Sequence, residues 1–262
     1  MIEYPALAPY ADRYADLTME PLVIRLYLKQ ASQLAGYDPL MLDGLLARCV
    51  VDQALGWERL PDLHDDGYAL PVPLKCLWRD ARGYPLWAAT PFYPANGAEG
   101  DVQYWHKRQQ SGRFTGTKRG TFNILSTKGR WMERRVPTPT VVAEHWTATC
   151  IGNAREIANL LEPLRYVGKR RGAGFGAVHH WEIEPAEAFG LVRDGRLLRP
   201  MPAMAIELLS PHMPEGSPAP VGWTPPQWHP PLWAPGWWPG RRSVRIGSPR
   251  RGHSKIRNLT RR

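Results

Sequence analysis

The sequence predicts an α+β fold in which two helices cover one face of a four-stranded antiparallel sheet. Three observations predict it: an alternating segment at 21–29 precedes a helical pattern, a second strand pattern occupies 86–93, and a strand, a helix and a last strand follow within 141–184. This βαββαβ order is typical of a ferredoxin-like (RRM-like) domain. We expect that domain to span residues 18–200, with a basic insertion, the thumb, at residues 96–140.

The first strand and the first helix are predicted from hydrophobic periodicity. Apolar and polar residues alternate from Val23 to Lys29, which is typical of a strand with one face on a core. Apolar residues then recur at helical spacing, namely Leu42, Leu45, Leu46, Cys49, Val50 and Leu55. Asp38 or Asp43 is suited to the start of this helix and Gly56 to its end.

The later elements follow the same reasoning. A short strand is predicted near residues 74–78, a second main strand at 86–93 and a third at 141–150. Asn153 and Glu156 have the spacing of a capping box, which predicts a second helix. That helix has apolar residues on one face, namely Ile157, Leu160, Leu161 and Leu164. Residues 177–184 alternate as the last strand of the domain.

Residues 201–262 are predicted to form a proline- and tryptophan-rich strap followed by a basic tail. Residues 204–209 read as one more strand. Prolines then alternate with tryptophans over residues 211–239, and proline disfavours both a helix and a central strand. We expect the tryptophans to hold an extended strap on the domain surface. Residues 241–262 are basic without periodicity, which favours a disordered tail or an arm that orders on RNA.

The charge balance favours a polyanionic partner. Lys plus Arg number 34 against 24 Asp plus Glu, so the formal net charge is +10. This excess attracts nucleic acid, but it also suits membranes or acidic proteins. No apolar run approaches the roughly 20 residues of a membrane-spanning helix, and the start of the chain lacks a signal peptide. We therefore expect a soluble, cytoplasmic protein.

The three cysteines do not form a metal or disulfide pattern. Cys49, Cys76 and Cys150 are widely separated, without a CxxC pair or zinc-like spacing. Their apolar surroundings indicate small buried side chains in a reducing compartment. Asp62, His64, Asp65 and Asp66 lie in a Pro/Gly-flanked loop and read as a solvated turn. We predict no metal site and no cofactor.

A glycine-rich loop at residues 168–176 is the strongest candidate site. Its glycines allow left-handed backbone and a close approach of amides to an anion. Lys169, Arg170 and Arg171 add cations suited to phosphate. The loop lacks the GK[ST] ending of a P-loop and precedes a strand instead of a helix. It indicates binding of a phosphate backbone; the alternative is a flexible basic connection between helix and strand.

The thumb interleaves aromatic residues with cations. Aromatic side chains stack on unpaired bases, while Arg and Lys bind phosphates. Packing at the thumb base is the alternative for Trp105 and Phe114, and a solvated face is the alternative for the cations. Together with the loop, the predicted RNA-binding residues are Tyr104, Trp105, His106, Lys107, Arg108, Arg113, Lys118, Arg119, Lys169, Arg170, Arg171, Gly172, Gly174, Phe175 and Gly176.

The loop between the second helix and the last strand resembles that of the CRISPR-associated RAMP superfamily of guide-RNA-binding proteins. The segments at 20–24 and 42–47, the sequence Tyr-Trp-His-Lys-Arg at 104–108 and the late Pro-Pro-Gln-Trp-His-Pro are similar to the type IV CRISPR counterpart of the Cas5 subunit. The resemblance covers residues 20–235. It implies a non-catalytic subunit that binds the five-prime handle of the guide RNA (crRNA) and supports recognition of target DNA. It also implies contacts with the backbone and large subunits of the effector complex.

A second hypothesis is a RAMP-type metal-independent endoribonuclease that processes precursor crRNA. Such an enzyme uses histidine, or a cluster of Arg, Lys and Tyr, to deprotonate a ribose 2′-hydroxyl. The candidate histidines are His106, His145, His179, His180 and His229. Strand alternation predicts that only one of His179 and His180 faces a given site. A third hypothesis is a basic RNA- or DNA-binding protein unrelated to CRISPR.

Overall fold

The computed structural model describes residues 1–29, 34–35, 39–56, 58–62, 65–107, 132–210, 212–239 and 245–246. The helices in these residues are α1 (Ala8–Ala15), α2 (Leu42–Leu55), α3 (Ala154–Leu161) and α4 (Ala203–Leu209). The strands are β1 (Glu20–Leu28), β2 (Leu34–Ala35), β3 (Leu40–Met41), β4 (Cys76–Arg79), β5 (Pro85–Trp87), β6 (Pro91–Pro94), β7 (Glu99–Lys107), β8 (Arg134–Val142), β9 (Trp146–Gly152), β10 (Val178–Pro185), β11 (Val192–Arg193), β12 (Arg196–Leu197), β13 (Met201–Pro202), β14 (Gly216–Val221), β15 (Ala234–Pro239) and β16 (Arg245–Ile246).

A five-stranded antiparallel sheet lies at the centre of the fold, with the strand order β10-β1-β9-β6-β3. Along the chain, its four longer strands and the two helices follow the order β1, α2, β6, β9, α3 and β10. The other sheets are antiparallel except for the short β16–β7 pair. The prediction of a mixed α+β protein with mostly antiparallel strands is confirmed.

The helices pack on one face of this sheet and leave much of the other face open. Leu22, Ile24 and Leu26 of β1 are buried in a core that includes residues of α2 and α3. The alternate residues of β1, such as Arg25 and Tyr27, point to the opposite face and are only partly buried. The alternation in the sequence therefore indicates which side chains face the helices.

Both helices predicted by periodicity form, with different N-termini. In α3 the Asn153 side chain accepts a hydrogen bond from the Glu156 amide at 3.0 Å, as the capping-box spacing predicts. In α2 the N-cap is Met41, which makes no side-chain cap, and Gly56 ends the helix with φ of 62°. Asp43 does lie in the first turn of α2 but is fully buried, so its carboxylate serves another contact. Asp38 lies outside the described residues.

Two of the predicted strands have different bounds. The segment at 86–93 is divided between β5 and β6, which belong to different sheets, so its interpretation as one strand is wrong. At Ala88 the chain crosses from one sheet to the other. The Ala88 amide donates to the Lys75 carbonyl, and the Ala88 carbonyl accepts a hydrogen bond from the Ile151 amide. The third strand starts at Trp146, because Val141 and Val142 already belong to β8. The short strand predicted near residues 74–78 forms as β4.

The prediction of a strand at residues 204–209 is wrong, because these residues form α4. Ala205 and Ile206 are buried, whereas Met204 and Leu208 are 66% and 70% exposed, which fits one buried helical face. Six apolar-rich residues are too few for periodicity to separate a strand from a helix. The contact of Ala205 and Ile206 with a second core decides the conformation.

The proline- and tryptophan-rich segment forms a sheet and part of a core, instead of the predicted surface strap. Strands β13, β15 and β14 pair in that order, so β15 is central. Strand β15 is paired on both sides only at Gly236 and Trp237. Pro235 and Pro239 are paired on one side only, where the missing N–H of proline can be tolerated. Trp223 is 1% exposed and packs in a second core with residues such as Leu86 and Ile206.

The predicted thumb begins as a regular β-ribbon. Strands β7 and β8, nine residues each, pair antiparallel from Glu99–Val142 to Lys107–Arg134. The end of the ribbon beside the sheet is buried, at Thr138, Thr140 and the adjoining Val141. Residues 108–131 lie outside the described residues.

The cysteines are free thiols, and no cysteine of the chain is bridged in the described structure. Cys49 and Cys150 are buried as predicted, and burial raises the pKa of each thiol to about 12. Cys76 is half-buried. Of the helices described, none has the length and apolar character needed to cross a membrane.

Candidate nucleic-acid interface

The glycine-rich loop is closed at its base and presents its three cations to solvent. The Val167 amide donates to the Gly176 carbonyl at 2.9 Å, and Tyr166 pairs with Ala177. Between these contacts, Lys169, Arg170 and Arg171 are exposed. The loop therefore has a defined backbone frame with a concentrated positive charge at its tip.

The backbone of the loop has the left-handed turns that its glycines predict. Arg170 has φ of 57°, a 3-10 turn follows at Arg171–Ala173, and Gly174 has φ of 90°. A right-handed turn followed by a left-handed residue forms a concavity that binds anions in other proteins. Gly176, with φ of 67°, is essential to this shape, because a Cβ there would lie 1.9 Å from the Val167 carbonyl oxygen.

The loop and the thumb base meet at one end of the central sheet. Leu34 of β2 pairs with Val141 of β8, and a Cβ on Gly168 would lie 3.4 Å from Leu34 Cδ2. The amide that follows β1, that of Lys29, donates to the carbonyl of Ala177 at 2.8 Å. Strand β2 thus lies between the glycine-rich loop and the Gly100–Val141 end of the β7–β8 ribbon.

The thumb base, which is the ribbon formed by β7 and β8, places its aromatic residues on two faces. Arg135 lies over the Tyr104 ring, with its guanidinium carbon 3.7 Å from the ring centroid. In the β7–β8 ladder, Arg135 is the residue opposite His106. Trp105, the residue between them, points to the other face. Tyr104 and Trp105 are 47% and 50% exposed. Both are accessible to a ligand, but one base cannot stack on both from the same side of the ribbon.

The other predicted residues fall into two groups. Phe175 is half-buried and Gly176 is buried, so they support the loop, while Gly172 and Gly174 are exposed. Lys107 closes the described part of β7. The remaining predicted residues lie outside the described part of the chain: Arg108, Arg113, Lys118 and Arg119. Phe114, weighed as a packing residue, also lies outside it.

A cluster on the open sheet face was missed by the sequence reasoning. Tyr27 stacks on His180 with centroids 4.4 Å apart and planes at 7°, and the His145 ring lies 5.4 Å from Tyr27. The Tyr27 hydroxyl donates to Glu182 Oε2 at 3.0 Å, and Arg25 pairs with Glu184 at 2.6 Å. Alternation in β1 predicts that residues 25 and 27 share a face, but not which strand lies beside them.

This cluster has a defined protonation pattern. Partial desolvation, followed by the hydrogen bond to Glu182, raises the pKa of the Tyr27 hydroxyl. The same hydrogen bond is the main cause that lowers the pKa of the Glu182 carboxyl, with His180 and Arg25 adding to it. At neutral pH, Tyr27 is therefore a neutral donor and Glu182 an ionised acceptor.

The other candidate histidines occupy separate places. The β1–β10 ladder shifts register beside His180, and the His179 and His180 rings come into edge contact with centroids 4.8 Å apart. The simple alternation predicted for this pair is therefore broken by a bulge. His229 lies in the proline-rich segment against Trp228, and His106 is on the thumb base.

Comparison with known proteins agrees with the resemblance noted in the sequence. No curated protein matches the chain. The family model described as CRISPR type IV associated protein Csf3 matches residues 20–202, more than half of the chain. This match excludes a basic protein unrelated to CRISPR, and it covers β1, the thumb, the glycine-rich loop and β10. The chain belongs to the Csf3 family of type IV CRISPR-associated proteins.

Proposed function

We propose that this chain is a non-catalytic subunit of a type IV CRISPR effector ribonucleoprotein that binds the five-prime handle of the crRNA. In that role it caps the filament of backbone subunits, contacts the large subunit and supports recognition of target DNA in the cytoplasm. The glycine-rich loop binds handle phosphates, and the thumb stacks on and clamps the RNA. No cofactor is required for this role.

The observation that supports this proposal is the exposed cationic loop, which lies beside the base of the β7–β8 ribbon. Lys169, Arg170 and Arg171 are exposed on a loop with anion-binding backbone turns. The β7–β8 ribbon adjoins that loop through Leu34 at its Gly100–Val141 pair, and four residues further along β7 it carries Tyr104 under Arg135. Cations next to exposed aromatic rings are what an unpaired, phosphate-bearing strand requires.

We infer that the domain is ferredoxin-like and related to the RAMP superfamily. The supporting feature is the order β1, α2, β6, β9, α3 and β10, with both helices on one face of an antiparallel sheet. The thumb leaves this unit between β6 and β9, and the glycine-rich loop lies between α3 and β10. The position of the loop is the one that the resemblance implies.

An endoribonuclease is the second candidate, because Tyr27 lies between two histidine rings. His145 and His180 could act as general base and general acid on a ribose 2′-hydroxyl and its leaving oxygen. The raised pKa of Tyr27 keeps its hydroxyl protonated at neutral pH, so it cannot accept the 2′-hydroxyl proton. Glu182 and Glu184 share the single guanidinium of Arg25, and the remaining negative charge would repel the scissile phosphate. These groups favour binding over cleavage.

The direct test is binding of a repeat-derived RNA, without added metal, at several salt concentrations. We expect the wild type to bind without cutting. Substituting Lys169, Arg170 and Arg171 together by Ala should weaken binding roughly 2,000-fold or more, because each of the three charge-assisted hydrogen bonds contributes about 1.5 kcal/mol or more. The slope of log K against log salt should fall by about 2, since three phosphate contacts are lost from a single strand.

A matched control separates this site from the overall charge. Arg48, Arg59 and Arg196 are exposed cations on other parts of the surface, and their joint substitution by Ala changes the net charge equally. We expect this variant to retain most of its affinity. Equal weakening in both triple variants would contradict a specific loop site, and a cut within the repeat would favour the endoribonuclease.

The two aromatic residues of the thumb base should differ in effect. Tyr104 shares its face with Arg135 and His106, so Tyr104→Ala should weaken RNA binding by about 5- to 100-fold, the usual range for one stacked base. Trp105→Ala, on the other face, should have a smaller effect. Binding constants for the two variants on one RNA test this, and a larger loss in Trp105→Ala would assign the RNA to the opposite face.

A further inference from the structure

The open face of the central sheet is a second polar surface beside the loop and the thumb. On this face β1 contributes Val23, Arg25 and Tyr27, and β9 contributes Thr147 and Thr149. Strand β10 completes the face with His180, Glu182 and Glu184. None of these residues packs in the core between the sheet and the helices, so the face has room for a ligand.

An open cleft of about 610 Å³ lies on this face. Its volume is within the range of about 300–1,000 Å³ typical of small-molecule sites. The residues that matter for recognition are Val23, Asn96, Glu144, His145, Thr147 and Arg193. They combine an apolar wall with amide, hydroxyl, carboxylate, imidazole and guanidinium groups, which suits a ligand that has both a flat apolar surface and a polar edge.

His145 connects this cleft to the aromatic cluster. It lines the cleft, and its ring is 5.4 Å from Tyr27, which in turn stacks on His180. Within the described residues, the buried Nδ1 of His145 has no hydrogen-bond partner. A buried nitrogen without a partner is costly, so this imidazole can gain a hydrogen bond by turning toward a ligand in the cleft.

The charges of the face favour a base and a ribose over a phosphate. Glu144 borders the cleft and Glu182 and Glu184 lie on β10, where their carboxylates accept amino protons but repel a phosphate. Carboxylate and amide side chains are common partners of base edges. The cations of this surface are Arg193, exposed at the rim, and Arg25, which pairs with both Glu182 and Glu184. Because two carboxylates share this one guanidinium, that part of the face keeps a net negative charge.

We propose that this cleft binds one unpaired nucleoside, with its base and ribose in the cleft and its phosphates outside. This inference rests on the proposed function, since the nucleoside is taken to belong to the RNA that the loop and thumb bind. Ala177, which follows the loop, accepts a hydrogen bond from the Lys29 amide just after β1, two residues from Tyr27. The Tyr27 ring in turn contacts His145, which lines the cleft, so the Tyr27–His180 pair lies between the loop and the cleft.

The test uses the full chain and a series of repeat-derived RNAs in which each nucleotide in turn lacks its base. We expect one position at which loss of the base weakens wild-type binding about 5- to 100-fold. Thr147→Val and Asn96→Ala should weaken binding of the intact RNA but not of that abasic RNA. Asn159→Ala, an exposed amide on the helical side, is the matched control and should bind every RNA like the wild type.

The outcomes separate this inference from the proposed function. If the loop variant loses affinity for every RNA while Thr147→Val and Asn96→Ala lose none, the handle site stands and the cleft proposal is overturned. If the wild type binds no RNA, the proposed function fails, and chemical-shift titrations with AMP, CMP, GMP and UMP decide the cleft. If a mononucleotide binds to the wild type but not to Thr147→Val, the cleft is retained as a mononucleotide site. If none of the four mononucleotides binds to the wild type, the cleft proposal is overturned.

Discussion

Arg199→Met is expected to destabilise the folded chain by about 3–5 kcal/mol, the usual cost of removing one partner from a buried ion pair. Arg199 and Asp43 are both fully buried, and Nη2 lies 2.9 Å from Asp43 Oδ2. The guanidinium also donates to the carbonyls of Trp87, Ala89 and Trp223 at 2.6–2.9 Å. Its removal leaves a buried carboxylate without a counter-charge, which still accepts hydrogen bonds from the Gln227 amide and the Gly44 backbone N–H.

This ion pair matters because it joins distant parts of the chain. Asp43 lies in α2 of the first core, whereas Trp223 belongs to the second core. Gln227 also lies close to Gly44, the residue after Asp43. A Cβ built on Gly44 would lie 2.5 Å from the Gln227 Oε1. Losing Arg199 should therefore loosen the whole contact between the two cores. The effect should not be limited to the packing of one side chain.

Thermal unfolding measures the effect. For a chain of this size we expect the midpoint to fall by about 6–20 °C. Arg48→Met, which removes an exposed pair with Asp52 four residues away, is the control and should cost about 0.5 kcal/mol or less. Combining Arg199→Met with Asp43→Leu should recover part of the loss, since no unpaired charge stays buried. Equal midpoints for Arg199→Met and Arg48→Met would contradict the ion pair's role.

Gly176→Ala should deform the glycine-rich loop and reduce RNA affinity by at least about tenfold, although it changes no charge. Two effects combine at this position. A residue with a Cβ costs about 1–2 kcal/mol at φ of 67°. In addition, the Cβ would lie 1.9 Å from the Val167 carbonyl oxygen, so the hydrogen bond from Val167 to Gly176 cannot persist in its present geometry.

Gly172→Ala is the matched control in the same loop. No atom lies within 4 Å of a Cβ built there, and its φ is not left-handed, so we expect stability and RNA affinity close to the wild type. Calorimetry and RNA titrations on both variants test the pair. If Gly176→Ala binds RNA as tightly as Gly172→Ala, the loop's shape is not needed and its charge alone would account for binding.

Local sequence determined the elements whose signal lies within one or two turns. The periodicity of α2 and α3, the Asn153 cap and the alternation in β1 all correspond to observed structure. The same holds for the left-handed turns of the glycine-rich loop. These features depend on steric and hydrogen-bonding preferences of residues close in sequence, so they can be read without knowing the fold.

Tertiary structure decided the features for which local preference is weak or misleading. Residues 203–209 are apolar enough for either a strand or a helix, and contact with the second core makes them α4. The prolines of β15 are tolerated because the strand is paired on both sides only at Gly236 and Trp237. Such choices depend on neighbours far along the chain.

The site shows the same division. The cations of the loop and the aromatic residues of the thumb are visible in the sequence, because residue type alone indicates affinity for RNA. The contact of the loop with the β7–β8 ribbon through Leu34, and the cluster of Tyr27 with His145 and His180, arise only when β1, β2, β8 and β10 pair. The sequence suggests only a helix-start role for Asp43, because its partner Arg199 lies 156 residues away and only packing brings the two together.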